Sequence, residues 1–409
     1  MRSRLLRVVG RTIYLSRLSL TGFRNHTETA LDLRPGLTLF YGQNGHGKSN
    51  LLEAVYMLAI AKSPISSNEL ELVNLGLSDS GGHMQILGVG REDDSTVQAQ
   101  IDVDVTGVAE TGASKGFRKG LRVNGIKRSA IDFVGNINIV FFEADDLEII
   151  HGSPGNRRRY LDILISQSDP TYLKSLSRYS QVVSQRNQLL RRVREGVSEE
   201  DELTFWDERL AYEGSRVIDA RRRSVDGLND HAVPAHSELT DGDELSLKYK
   251  PRISVSSDHA PDVTEMNADM IEREMAKSLP ALRRREIAQG ITVIGPHRDD
   301  LDVFLNGNPA QSYASRGQSR TIALSLKLAE AVFVREVTGR SPVLALDDIL
   351  SELDPRRREL VLESATKHQQ VLLTATEPGI VPDAYVKEAV VFKVTDGVVT
   401  SEDSVGSDA

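Results

Sequence analysis

Cysteine is absent from the 409 residues. Without it there is no disulfide, no thiolate zinc site, no iron–sulfur cluster and no thiol nucleophile. Aromatic residues make up only 5% of the chain. Few of them lie near its basic stretches, which disfavours reading of single strands by base stacking. No apolar run approaches the roughly 18 residues that span a bilayer, so no membrane partner is expected. Arg7, Arg11 and Arg17 interrupt the apolar N-terminal stretch. An export signal needs an unbroken apolar core, so the cytoplasm is the expected location. An excess of positive charge is missing too, since 50 Lys and Arg face 59 Asp and Glu, a net charge of -9. As a whole-chain sum this speaks against a nucleic-acid binder, although a sum hides local patches.

What remains is ordinary globular composition, 39% hydrophobic and 27% charged, in a chain long enough for more than one domain. The spacing of apolar residues predicts strands at Ile13–Leu20, Leu37–Tyr41, Gln85–Val89, Val97–Val105, Gly120–Val123 and Asn136–Phe142, with a helix over Asn50–Ala61. From Pro154 to Ala232 the chain is charge-rich and nearly free of Gly and Pro, which predicts helices, and Asp258–Arg285 reads alike. Strands are expected again at Ile291–Ile294, Leu301–Leu305, Val343–Leu346 and Val371–Thr374, with helices at Ser319–Val337 and after Pro355. The expected class is α/β, divided by a helical insertion.

Gly42-Gln43-Asn44-Gly45-His46-Gly47-Lys48-Ser49 fits the P-loop pattern G-x4-G-K-[ST], with a strand before it and a helix after it. Its glycines let backbone N–H groups turn onto phosphate oxygens, and the helix N-terminus adds partial positive charge. Lys48 is expected to reach the β and γ phosphates of ATP, and the Ser49 hydroxyl to take one position on Mg2+. His46 is expected to point away. The loop also calls for an acidic residue at a strand end, and Asp347 and Asp348 follow the apolar run Val343–Leu346. Asp347 suits the metal and Asp348 the polarisation of attacking water; the bland alternative is a pair capping a turn. Lys48 and Asp347 are 299 positions apart, an unusually long interval, so the nucleotide domain must be split around a large insertion.

Ser315, Gly317, Gln318 and Arg320 open the helix that follows them, which makes a second anion-facing helix start. Read alone, it is a capped helix. Just upstream of an Asp-Asp strand it resembles the signature segment of an ATP-binding-cassette ATPase, which contacts nucleotide held by the opposite subunit. Ser351 and Asp354 then match the D-loop of that class.

Further stretches carry a closer resemblance. These are Phe23-Arg24-Asn25, Asn50–Ala54, Gly152–Asp162, Gln185-Arg186-Asn187 and Gly295–Asp300, together with Ser315–Thr321. In this order, and over most of the chain, they resemble the RecF family of bacterial recombinational-repair ATPases. The resemblance implies an ABC/SMC-type P-loop ATPase head with a mostly helical inserted second lobe. It places the halves of the head at 1–150 and 289–400 and the lobe at 151–288, ahead of a disordered tail at 401–409. It also implies ATP-dependent dimerisation on DNA, slow hydrolysis as a release timer, cooperation with RecR and RecO, and loading of recombinase at gaps.

The departures from the family are few. Ser49 replaces the usual Thr, and Phe142–Leu147 lacks a proline, which leaves the geometry of that loop open. Thr374-Ala-Thr376 stands where a cassette ATPase has His, and Thr376 is expected to contact the γ-phosphate. No Q-loop glutamine is assignable.

For DNA, Lys115, Arg118, Lys119, Arg122, Lys127 and Arg128 form a stretch without an intervening acid. Such a stretch can neutralise phosphates without reading sequence, which favours double-stranded and gapped DNA. A second basic stretch, His151–Arg194, includes Arg157–Arg159, which can instead pack structurally. His297 and Arg298 have no assignable role beyond bracing a turn. Two other classes compete: a transporter-type cassette subunit, opposed by the insertion and the missing His, and an SMC-like nuclease, for which only Asp299-Asp300 is spare.

Overall fold

The computed structural model describes residues 13–74, 76, 82–92, 95–106, 116–240, 242–254 and 265–402. They form two compact units, one from 1–146 with 324–409 and the other from 147–323.

The first unit holds two six-stranded sheets. One is antiparallel, in the order β2 (His26–Asp32), β1 (Ile13–Phe23), β4 (His83–Glu92), β5 (Ser95–Thr106), β6 (Gly116–Val123) and β7 (Ile126–Lys127). β4 alternates between buried and more open positions, as a half-covered strand should. The other sheet runs β15 (Val398–Glu402), β14 (Val390–Thr395), β3 (Gly36–Tyr41), β13 (Gln370–Ala375), β12 (Val343–Leu346) and β8 (Ile139–Phe142). All its pairings except β14 with β15 are parallel. β8, β12 and β13 are buried along their whole length, which explains their continuous apolar sequence. Helix α1 (Lys48–Ile60) is buried all round from Leu51 to Ala59 and shares one core with side chains of both sheets.

The second unit is mostly helical, with α2 (Pro154–Ser168), α3 (Pro170–Arg194), α4 (Leu203–Leu239) and α5 (Ala268–Gln289). α3, α4 and α5 pack on one another, beside a small sheet β11 (Asn308–Pro309), β10 (Asp300–Leu305), β9 (Leu245–Lys250). α6 (Arg316–Thr338) begins in this unit and ends in the first, and α7 (Pro355–Ala365) follows.

Two expectations change. Residues 289–323 group with the helical unit rather than with the head, because β10 pairs with β9 and the Gly295–Asp300 turn is tied to the helices. Ile291–Ile294 is not a strand. Its N–H groups are taken by side chains instead: Thr292 N donates to Asn187 Oδ1 at 2.7 Å and Val293 N to Glu286 Oε1 at 2.8 Å. A strand needs those donors for its ladder. Ser401 and Glu402 close β15, and the rest of the expected tail, 403–409, lies outside the described residues.

Candidate nucleotide site

The P-loop joins β3 to α1, and two of its glycines are obligatory. A Cβ at Gly42 would meet the Val394 carbonyl oxygen at 2.2 Å. Gly47 has φ 106°, and a Cβ there would strike the Asn25 side chain at 2.6 Å. The loop is braced from outside. Gly397 N donates to the His46 carbonyl at 2.9 Å, and the buried His26 ring has Nε2 3.0 Å from the Gly47 carbonyl. The His46 ring lies 3.7 Å from Asp396.

Two pairs of sequence motifs meet here. Arg24 makes a forked pair with the buried Glu53 of α1, Nε to Oε2 at 2.9 Å and Nη2 to Oε1 at 2.7 Å. Asn50 donates to Asn25 at 2.8 Å.

Lys48 Nζ donates to the Gly42 and Gln43 carbonyls at 2.7 and 3.0 Å. Burial lowers its pKa, against the charges of Asp348 and Asp347. Ser49 Oγ donates to Asp347 Oδ1 at 2.8 Å, so the two parts of the split nucleotide domain meet here. Burial raises the Asp347 pKa, opposed by hydrogen bonds from Thr374 and Ser49.

Asp348 turns away from the strand in a left-handed conformation, φ 50°, and its Oδ1 is buried with no hydrogen-bond partner. Between the Asp347 carboxylate and the Asp348 backbone stands a residue that sequence reasoning passed over in favour of Thr376. The Thr374 hydroxyl donates to Asp347 Oδ1 at 2.7 Å and accepts from Asp348 N at 2.9 Å. Thr376 lies just past the end of β13. The available signal was polarity in an apolar run: Thr374 lies near the end of a wholly buried strand, where a hydroxyl needs a partner.

Ser315 and Gln318 form a reciprocal cap, Gln318 N to Ser315 Oγ at 3.3 Å and Ser315 N to Gln318 Oε1 at 3.0 Å. Ser315 remains exposed at the start of α6. Gly317 and Arg320 lie in the same first turns. His151 Nε2 is 2.8 Å from Ser319 Oγ, which itself donates to the Ser315 carbonyl at 3.0 Å. Ser351 Oγ donates to the Asp348 carbonyl at 2.7 Å, and Asp354 caps α7 through Arg357 N at 3.0 Å.

The first basic stretch is less positive than its sequence. Lys119 is paired with Glu69 at 2.6 Å and bonded to the Ala61 carbonyl at 2.7 Å. Arg122 is 2.5 Å from Asp102, and β5 sets Asp104 opposite Arg118. Arg118, Lys127 and Arg128 are exposed. Lys115 lies outside the described residues.

In the second stretch Arg157 is buried and forked onto Asp300, Nε to Oδ1 at 2.6 Å and Nη2 to Oδ2 at 3.0 Å. Arg221 reaches Asp299 and the Pro296 carbonyl. His297 Nε2 faces the Thr292 carbonyl at 3.0 Å, so it donates, and Nδ1 accepts from Tyr179 at 2.5 Å. The Gly295–Asp300 motif is therefore the clasp of the helical unit.

With this geometry in view, the comparisons are decisive. Residues 14–400 match the RecF/RecN/SMC N terminal domain family. The DNA replication and repair protein RecF of Herpetosiphon aurantiacus is 40% identical over 89% of this chain and 94% of its own. The chain belongs to the RecF family. A solved structure of the recombination mediator protein RecF-ATP in the RecFOR pathway superposes with a TM-score of 0.83 at 31% identity, over 98% of this chain and 100% of that one. The Smc head domain of Pyrococcus furiosus matches at 16% identity with a TM-score of 0.53, over 96% of each chain, which shows a shared fold. The RecF-family head is thus of the SMC-type ATPase class, and these relatives support neither a transporter subunit nor a nuclease. Among the described residues no helix is long and apolar enough to cross a membrane.

Proposed function

We propose that this chain binds ATP at Gly42–Ser49, hydrolyses it slowly, and uses the bound state to join a second copy on duplex DNA beside a single-strand gap. The observation that carries this reading is the 2.8 Å hydrogen bond from Ser49 to Asp347, a hydroxyl and a carboxylate presented together beside a phosphate loop. That donor set suits Mg2+, which takes a few protein oxygens and shares its remaining positions with phosphate and water. When bound, the ion would neutralise charge on the phosphoryl oxygens, held by Ser49 and Asp347.

The chain's own residues do the rest. Loop N–H groups and Lys48 bind phosphate, and the unpartnered Asp348 Oδ1 accepts a hydrogen bond from attacking water. Thr374 orients Asp347, and Thr376 is the γ-phosphate contact. Ser315, Gly317, Gln318 and Arg320 face nucleotide on the second copy, with Ser351 and Asp354 along the same junction. Arg118, Lys127 and Arg128 carry DNA phosphate contact, since Lys119 and Arg122 are engaged in ion pairs. The RecFOR pathway named for a solved relative supports RecR and RecO as partners, and the cytoplasm is the location proposed with this reading.

Gel filtration with and without ATP tests the switch, alongside binding to gapped, duplex and single-stranded DNA. ATP should produce a dimer and tighter duplex binding. Lys48→Met should lose both, and Asp348→Asn should keep ATP-dependent dimers while losing hydrolysis. A monomer in every nucleotide state would refute the reading.

A further inference from the structure

A lysine is buried where an apolar side chain would serve packing equally well. Lys327 of α6 places its ammonium 3.3 Å from Asp146 Oδ1 and 3.5 Å from Glu330 Oε2. Burial opposes its charge, but Asp146, Glu330 and Glu143 outweigh burial and hold it protonated. Burial also pushes Glu330 up to about 7. Exchanging such buried ion clusters for apolar residues is often neutral or stabilising, so stability alone does not account for this one.

Its connections run two ways. Asp146 Oδ2 accepts from Glu143 N at 2.9 Å and Asp146 N donates to the Glu143 carbonyl at 3.1 Å, closing a turn. That turn lies in Phe142–Leu147, the stretch that lacks a proline. It directly follows β8, whose Phe142 carbonyl accepts from Asp347 N at 3.0 Å, with Phe142 in register with Leu346. In the other direction, α6 is one continuous helix from Arg316, immediately after Ser315. Lys327 and Ser319 lie roughly two turns apart on that helix. The ammonium also has two possible holders: Glu330 on its own helix, and Asp146 on the turn beside Asp347. Both contacts are made at once, so the ammonium ties α6 to that turn.

We propose that Lys327 is a positioning residue that links the turn beside Asp347 to the helix bearing Ser315–Arg320, so that filling the nucleotide site sets that segment for a second copy. The proposal rests on the ATP-binding reading above.

The test uses the full chain carrying Lys327→Met, with Lys327→Arg as the conservative variant and Asp146→Asn breaking the link from the turn side. Affinity for a fluorescent ATP analogue, melting without nucleotide and ATP-dependent self-association are measured together. Lys327→Met should keep nucleotide affinity and folding while its ATP-induced association weakens at least about fivefold, the low end of measured couplings. Asp146→Asn should weaken association in the same way, and Lys327→Arg should restore most of it. If both charge-removing variants associate like the parent, or lose association only in proportion to lost ATP affinity, the link is wrong. If Lys327→Met fails to fold, Asp146→Asn decides alone. If the parent itself binds no ATP, the site reading falls and the link with it; if the parent binds ATP and associates and both charge-removing variants do the same, the link alone falls.

Discussion

Replacing Thr374 by Val removes one hydroxyl and almost no volume from the centre of the nucleotide site. The side chain is fully buried, donates to Asp347 at 2.7 Å and accepts from Asp348 N at 2.9 Å. Two losses follow. Asp347 loses a hydrogen bond to a charged group, worth about 1.5–3 kcal/mol, and the Asp348 N–H is left without its acceptor. If that interaction is needed to hold Asp347 in the transition state, the rate falls by roughly ten- to a hundredfold, since each 1.36 kcal/mol is a factor of ten. Folding should be destabilised by about 1–3 kcal/mol as well, so the assay must be run well below the melting temperature. Phosphate release at saturating ATP gives the rate, and a fluorescent analogue gives affinity. Affinity should change little, because Thr374 approaches the phosphate loop only through Asp347. Thr374→Ser keeps the hydroxyl and should recover most of the rate. Thr376→Val is the control. If Thr374→Val hydrolyses ATP within twofold of the parent while Thr376→Val does not, the Asp347 carboxylate is not set by Thr374.

Other consequences are equally direct. Reversing charge at Arg118, Lys127 and Arg128 should weaken duplex binding and flatten its salt dependence by about one unit of slope per lost phosphate contact. Lys119→Ala should mainly lower the melting temperature, because its partner Glu69 is 19% exposed at the side chain. Arg186→Met should cost about 3–5 kcal/mol by chemical denaturation, since the guanidinium, wholly buried, answers Asp207 and Glu286. Burial lowers the His297 pKa to about 4. Its contribution to stability is therefore complete above the ordinary histidine range and is lost as pH falls through 6.5 toward 4, because the unfolded chain binds the extra proton. His297→Gln should flatten the pH dependence of unfolding in that window, and an unchanged slope would show that the ring is not held neutral.

Much of the site was legible because it is written in consecutive residues. Gly42–Ser49 fold on themselves between a strand and a helix, and the apolar run before Asp347 needs nothing but its own pattern to be a buried strand. The clasp of the helical unit was not legible. Asn187 and Glu286 take the N–H groups of Thr292 and Val293, so an apolar stretch that looks like a strand is held as a loop by side chains far away in sequence. The basic stretch misled for the same reason, because the acids that answer Lys119 and Arg122 stand on Glu69 and Asp102, outside it. A one-dimensional count of charge does not see a neighbouring strand.

By itself the sequence determined the phosphate loop, the acidic strand end, the split of the head by a helical insertion and membership of the RecF family. Each of these is made by backbone geometry or by a run of neighbouring residues. Only the tertiary structure decided that Thr374 joins the Asp347 carboxylate to the Asp348 backbone, that Arg157, Arg186 and Arg221 are structural, and that Lys327 reaches the turn beside Asp347. The physical reason is common to all three: a buried polar group must find its partner, and the fold alone chooses which distant residue that partner is.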